Sequence, residues 1–105
     1  MSKRIPYEAE QTSKDLGKRL AQARKRRGWR QEDVCKHTGC SRATIQKMEA
    51  GDPTVSFGSY LTLLTLYGAV DSLSEVCKPE DDLGALDREP ITQRVRLKHD
   101  LDNNF

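Results

Sequence analysis

The 105-residue sequence has no apolar run close to the ~20 residues that a membrane span needs, so no segment is expected to cross a bilayer. Residues 1–11, MSKRIPYEAEQ, have no apolar core of the secretory type, so a cleaved signal is not expected. The three cysteines, Cys35, Cys40 and Cys77, form no CxxC pair. An odd count without that spacing speaks against a disulfide framework and fits reduced thiols in a cytoplasmic protein. Cys35 and Cys40 flank His37, but a second ligand pair is missing: only distant Cys77 and His99 remain, so no metal is implied. A phosphate-binding glycine loop and a nucleophile–base grouping are also missing. The chain therefore does not read as an enzyme, and no cofactor is implied.

What is there is one small domain with room for tails. Hydrophobic residues make up 35% and charged residues 32%, and the mean hydropathy is −0.78. That is enough apolar surface for a small core, with at least one segment left solvated. The charge is unevenly placed. Residues 1–50 carry 13 Lys and Arg against 6 Asp and Glu, a surplus of +7; residues 51–105 carry 5 against 10, or −5. A basic front half suggests a polyanionic partner. The densest run is Arg24-Lys25-Arg26-Arg27, with Arg30 close behind. Taken alone, such a run is more often just an ordinary solvated helix face.

Residues 1–12 show no apolar periodicity and contain Pro6, and they read as a flexible arm. Ser13 is a good helix cap, with Asp15 where the helix dipole favours an acid. Leu16, Leu20 and Ala23 recur at helical spacing, and Gly28 stands where a terminating glycine belongs. Gly17 inside this helix is unfavourable unless another backbone packs closely on it. A second helix is expected over 31–37, with Val34 and Cys35 inward and Gly39 at a left-handed turn. Ser41 caps a third helix over 42–49, anchored by Ile45 and Met48. Ser56 caps a fourth over 57–67, with Phe57, Tyr60, Leu61, Leu64 and Tyr67 toward the core. A short fifth starts at Asp71 or Ser72 and runs to Val76; Ser72 and Glu75 stand at capping-box spacing. Residues 79–90 are acidic and poor in apolar residues. In 91–101, alternation around Val95 and Leu97 reads as a short strand, while Ile91/Val95 and Leu97/Leu101 also fit a helix.

Residues 31–50, QEDVCKHTGCSRATIQKMEA, have the makings of two short helices joined by a glycine turn. Cys35 is small enough for the point where the helices touch, Gly39 permits the reversal, and Ser41 starts the next helix. With Ile45 and Met48 beneath, Arg42, Ala43, Thr44, Gln46 and Lys47 remain near the N-terminus or on the outer face. A helix presented this way fits a DNA major groove.

In Gln31, Gly39, Ser41, Ile45 and Glu49, and in LGKRLAQARKRRGW with its Arg24-x-x-x-Gly28 ending, the chain resembles the lambda-repressor/Cro-type (XRE) helix-turn-helix family. The resemblance covers about sixty residues, roughly 16–76. It implies an all-α, five-helix lambda-repressor-like domain over 13–76, with an arm over 1–12 and an acidic tail over 77–105. It also implies roles. Arg42, Ala43, Gln46 and Lys47 match base-facing positions. Gln31, Ser41, Thr44 and Thr54 match or adjoin positions near phosphates. Arg24 and Glu49 match a structural ion pair. Arg30 replaces the usual Thr, Ser or Asn, losing a helix cap and gaining a charge that reaches a phosphate. Arg27, in the basic run, is a further phosphate candidate. Asp52 makes a commonly basic loop acidic. Trp29 is expected as a lid over the core.

The implied function is a dimeric, sequence-specific repressor reading a palindromic operator in double-stranded DNA. Asp52-Pro53-Thr54-Val55-Ser56-Phe57, followed by Tyr60-Leu61 and Leu64, resembles the HipB branch, whose members are antitoxins of HipA-type kinase toxins. On that branch a tail that orders on binding would contact the kinase, with residues 95–98 as an added strand; the alternative is a degradation-prone disordered end with no partner. A stand-alone phage or restriction-modification regulator shares the same chemistry without a toxin. An interaction adaptor, in which the scaffold binds protein, is the alternative of another class; Arg42, Lys47 and the basic front half argue against it.

Overall fold

The computed structural model of the chain describes residues 4–82. The acidic stretch beyond 82 and the strand or helix expected within 91–101 lie outside the described residues. The chain divides into two compact units, Met1–Asp71 and Ser72–Phe105.

The first unit holds four α-helices: α1 (Tyr7–Arg26), α2 (Gln31–Thr38), α3 (Arg42–Glu49) and α4 (Phe57–Leu66). The division between the units falls inside a 3-10 helix, Val70–Glu75. The described residues are all-helical, and no strand occurs among them. The fifth helix is thus present in its expected place, as a 3-10 turn and not as an α-helix. Asp71, Ser72 and Ser74 have short polar side chains that compete for nearby backbone groups, and short helical segments settle readily into 3-10 geometry.

The flexible arm expected over 1–12 is corrected by α1, which starts at Tyr7 and not at Ser13. Pro6 precedes the first turn, and Glu8 and Glu10 lie where the helix dipole favours acids. Glu10 also pairs with Lys14 at 3.3 Å. These extra turns bury little: Tyr7 is 74% exposed. Apolar periodicity could not reveal a helix with no buried face. Ser13 lies inside α1, and its hydroxyl donates to the Gly51 carbonyl at 2.6 Å. The helix ends in a Schellman motif: Trp29 N–H reaches Arg24 O at 3.2 Å, Gly28 N–H reaches Lys25 O at 2.9 Å, and Gly28 has φ 70°.

The core is Leu20, Val34, Ile45, Met48, Tyr60 and Leu63, one or two side chains from each helix. Leu16, Trp29, Cys35, Cys40, Val55, Leu64, Leu66 and Tyr67 pack around it, half-buried. Two expectations for α4 are corrected. Phe57 is 68% exposed, and Leu63 is fully buried. Leu61, Leu63, Leu64 and Leu66 put apolar side chains on several sides of α4, so its own pattern does not select one face. Its packing against α2 does.

Gly17 supplies the close approach that its place in α1 required. A Cβ there would lie 2.6 Å from Gly51 N and 2.7 Å from the carbonyl oxygens of Met48 and Glu49. The α1 backbone therefore rests directly on the C-terminal end of α3.

Within the second unit, Lys78 pairs with Glu75 at 2.7 Å and precedes a 3-10 turn, Pro79–Asp81. No helix among the described residues is long and apolar enough to cross a membrane.

Candidate nucleic-acid interface

The reversal between α2 and α3 is built from a few local bonds. Thr38 donates its hydroxyl to Val34 O at 2.8 Å, within α2, and accepts from Cys40 N–H at 3.1 Å. Gly39 follows at φ 78°, in the left-handed region that glycine enters without steric cost, and its N–H reaches Cys35 O at 2.8 Å. Ser41 then caps α3, accepting from Thr44 N–H at 3.1 Å. The two hydroxyls of Ser41 and Thr44 also lie 2.9 Å apart. Whichever of them donates to the other, one hydroxyl proton remains for an incoming acceptor.

Ile45 and Met48 are both fully buried, and they orient α3. With that face turned inward, Arg42, Ala43, Gln46 and Lys47 are all exposed. The outer face carries a guanidinium at the first turn, an ammonium further along, an amide that both donates and accepts, and a methyl group. This is a complete vocabulary for base edges and phosphates.

At the start of α2, Arg30 is exposed and Gln31 half-buried. The cap expected to be lost at Arg30 is half retained. Asp33, three residues on, accepts from Arg30 N–H at 2.8 Å. A guanidinium carries only donors, so the forward half of a capping box cannot form. The three-residue spacing of Arg30 and Asp33 was the available signal. Glu32 reaches across to α3, with Arg42 Nη1 3.9 Å from its Oε1.

The ion pair Arg24–Glu49 is two-pronged: Nε to Oε2 at 2.8 Å and Nη2 to Oε1 at 3.1 Å. Arg24 Nη1 donates as well to Trp29 O at 2.9 Å, and Gln31 Nε2 donates to Glu49 Oε1 at 3.2 Å. The carboxylate beside it raises the guanidinium pKa further, against the opposing effect of partial burial. One carboxylate therefore ties the end of α1, the start of α2 and the end of α3 together. The Gln31 link has no signature in the sequence, because the two residues sit 18 positions apart. It leaves one side-chain N–H of Gln31 and its backbone N–H for a phosphate.

Two other phosphate candidates are engaged elsewhere. Thr54 donates its hydroxyl to Asp52 Oδ1 at 2.6 Å and its N–H to the same oxygen at 2.8 Å. These bonds hold the Asp52 carboxyl below its usual range. A phosphate at Thr54 would have to displace an anion. Arg27 donates to Ala23 O at 2.9 Å and lies over the rings of Tyr67 and Trp29, at 5.0 and 5.9 Å from the centroids. Trp29 covers the core edge, half-buried, and stacks on His37 at 4.7 Å. Among the described residues, no group of three or more His, Cys, Asp and Glu is placed to hold a metal ion.

Residues 15–76, more than half of the chain, match the helix-turn-helix domain family. The chain belongs to that family. The buried anchors of α3, its exposed face and the glycine turn before it are thus the parts of a helix-turn-helix DNA-binding domain. No match was found among curated proteins or among solved structures.

Proposed function

We propose that the chain is a sequence-specific transcriptional repressor of the lambda-repressor/Cro (XRE) type, acting as a homodimer on a palindromic operator in the cytoplasm. It is a binding protein and not an enzyme. The observation that carries this reading is α3 itself: Ile45 and Met48 fully buried beneath, Arg42, Ala43, Gln46 and Lys47 exposed above. A guanidinium at the first turn of such a helix can take guanine O6 and N7 together. Arg30, Gln31 and the Ser41–Thr44 hydroxyl pair, which has one proton to spare, are the phosphate contacts best supported by free donors. Thr54 is a weaker candidate, because its hydroxyl and N–H are already engaged; Arg27 is weaker because one of its five N–H donors is engaged with Ala23 O and its guanidinium lies over the Tyr67 and Trp29 rings. One small domain makes too small an interface for tight specific binding. Two, related by a twofold axis, would read half-sites about one helical turn, ~34 Å, apart.

Selection from a random duplex pool with the full chain tests this. The expected product is a palindrome. Arg42→Ala should change the preferred base at particular positions. Arg30→Ala should weaken all sequences alike and flatten the dependence of log K on log salt by about 0.9. If Arg42→Ala enriches the same sequences as the parent, α3 is not the reading helix.

We further infer the HipB-like antitoxin branch, with a HipA-type kinase as partner and the acidic tail over 77–105 as its contact. The resemblance over 52–64 and the negative rear half support this. Purification of the full chain from its own cells, at native level, decides it. Recovery with an inhibited serine/threonine kinase supports the antitoxin. Recovery as a solitary dimer that still binds its palindrome leaves a regulator without a toxin. A chain that is not retained on heparin at low salt returns the reading to an adaptor.

A further inference from the structure

Glu32 and Arg42 stand on different helices, and neither is needed by the core. Their side chains are 61% and 62% exposed, and the shortest N···O distance is 3.9 Å. A pair this loose and wet contributes little to folding. Its position matters more than its strength. Arg42 is the first residue of α3, and Glu32 lies in the first turn of α2. An acid on the edge of a surface that meets phosphates carries a cost in every complex with DNA.

The geometry of the guanidinium shows what could offset that cost. Arg has five N–H donors in a rigid planar fork. A bidentate bond to guanine uses two of them, which leaves Nη1 able to stay beside Glu32. An Arg that swings out to a phosphate leaves the carboxylate behind, unpaired and facing like charge. The carboxylate therefore opposes the sequence-blind contact and tolerates the sequence-reading one.

We propose that Glu32 is a specificity-determining residue that positions Arg42 for a guanine edge and against the phosphate backbone. This rests on the reading of α3 as the base-contacting helix. Glu32 acts through Arg42 and is a positioning residue.

The test measures binding of the full chain to its selected operator and to a scrambled duplex of equal length, across a salt series. Glu32→Gln should bind the scrambled duplex several-fold more tightly, with a salt slope steeper by about 0.9, as one more cation reaches a phosphate. The ratio of operator to scrambled affinity should fall about tenfold, within the range that one bidentate base contact supplies. Glu32→Asp keeps the charge at the α2 N-terminus but withdraws the carboxylate from Arg42. It should melt like the parent and discriminate like Glu32→Gln, which a helix-dipole role alone would not produce. In an Arg42→Ala background, Glu32→Gln should leave the ratio unchanged. The proposal is overturned if Glu32→Gln tightens both duplexes equally, or if its effect on the ratio survives Arg42→Ala. The underlying reading fails separately, and takes the proposal with it, if the parent and Arg42→Ala discriminate equally.

Discussion

Gly17 of α1 faces the backbone nitrogen of Gly51 so closely that a Cβ on Gly17 would lie 2.6 Å from it. The reverse also holds: a Cβ on Gly51 would meet Lys14 Cα at 2.5 Å and Ser13 O at 2.6 Å. The two helices meet backbone to backbone, and neither can yield as a flexible side chain would. Gly17→Ala is expected to destabilise the domain by about 2–3 kcal/mol through overpacking. Gly58→Ala, in α4 with nothing within 4 Å of the added Cβ, should stabilise by about 0.5–1 kcal/mol through lower unfolded-state entropy. Denaturant midpoints of the two variants should move in opposite directions.

The bidentate pair Arg24–Glu49 is largely shielded, with side-chain exposures of 13% and 8%. Arg24→Ala leaves that carboxylate without its main partner and frees the Trp29 carbonyl. A loss of about 2–4 kcal/mol is expected, somewhat less than for a fully buried pair. The double variant Arg24→Met/Glu49→Leu should recover part of it, because no charge is then stranded. A double-mutant cycle by chemical denaturation measures the coupling.

Tyr67 lies 6.4 Å from Trp29, its ring tilted by 33°, and the Arg27 guanidinium sits over both rings. Its hydroxyl is buried and has no hydrogen-bond partner among the described residues. Burial raises its pKa, and the nearby Glu49 charge adds to this. Tyr67→Phe keeps the ring and removes the unsatisfied group. It should raise stability by about 1 kcal/mol. The parent should also lose stability as pH rises through the ordinary tyrosine range, because the unfolded chain ionises Tyr67 more readily than the folded one does; Tyr67→Phe should reduce that loss.

Asp52 is held below its usual value of 3.8 chiefly by the Thr54 hydroxyl and then by the Thr54 N–H. Folding therefore favours the charged carboxylate. That contribution is complete above the ordinary aspartate range and is lost as pH falls through the folded-state value. Carboxyl NMR titration should give Asp52 a midpoint below that of an unfolded peptide. Thr54→Val should move it back up, and stability should then depend less on pH in that acidic window. An unchanged midpoint in Thr54→Val would mean that the hydroxyl bond is not what holds the charge.

How much of this the sequence carries differs by element. Ser41 marks the start of α3 and Gly39 the end of α2, because capping and turn chemistry act over three or four residues. Ser13 misled for the same reason: a serine suited to a cap is equally available to bond a distant carbonyl, here Gly51. The Arg24–Glu49 pair spans 25 positions and was legible only through family resemblance. The bond from Gln31 to Glu49 and the contact of Glu32 with Arg42 were not legible at all.

The sequence by itself determined the local chemistry: an all-helical domain over 13–76, the α2–turn–α3 unit, and a basic outer face on α3. Those follow from short-range forces, namely caps, glycine conformations and periodic burial. Tertiary structure decided which side of α4 is buried, how far α1 extends, and which donors on the proposed DNA-facing side are already taken. An apolar helix with leucines on several sides acquires a face only when a neighbour covers one. A side chain that could reach a phosphate is available only if no acceptor of its own fold has claimed it first.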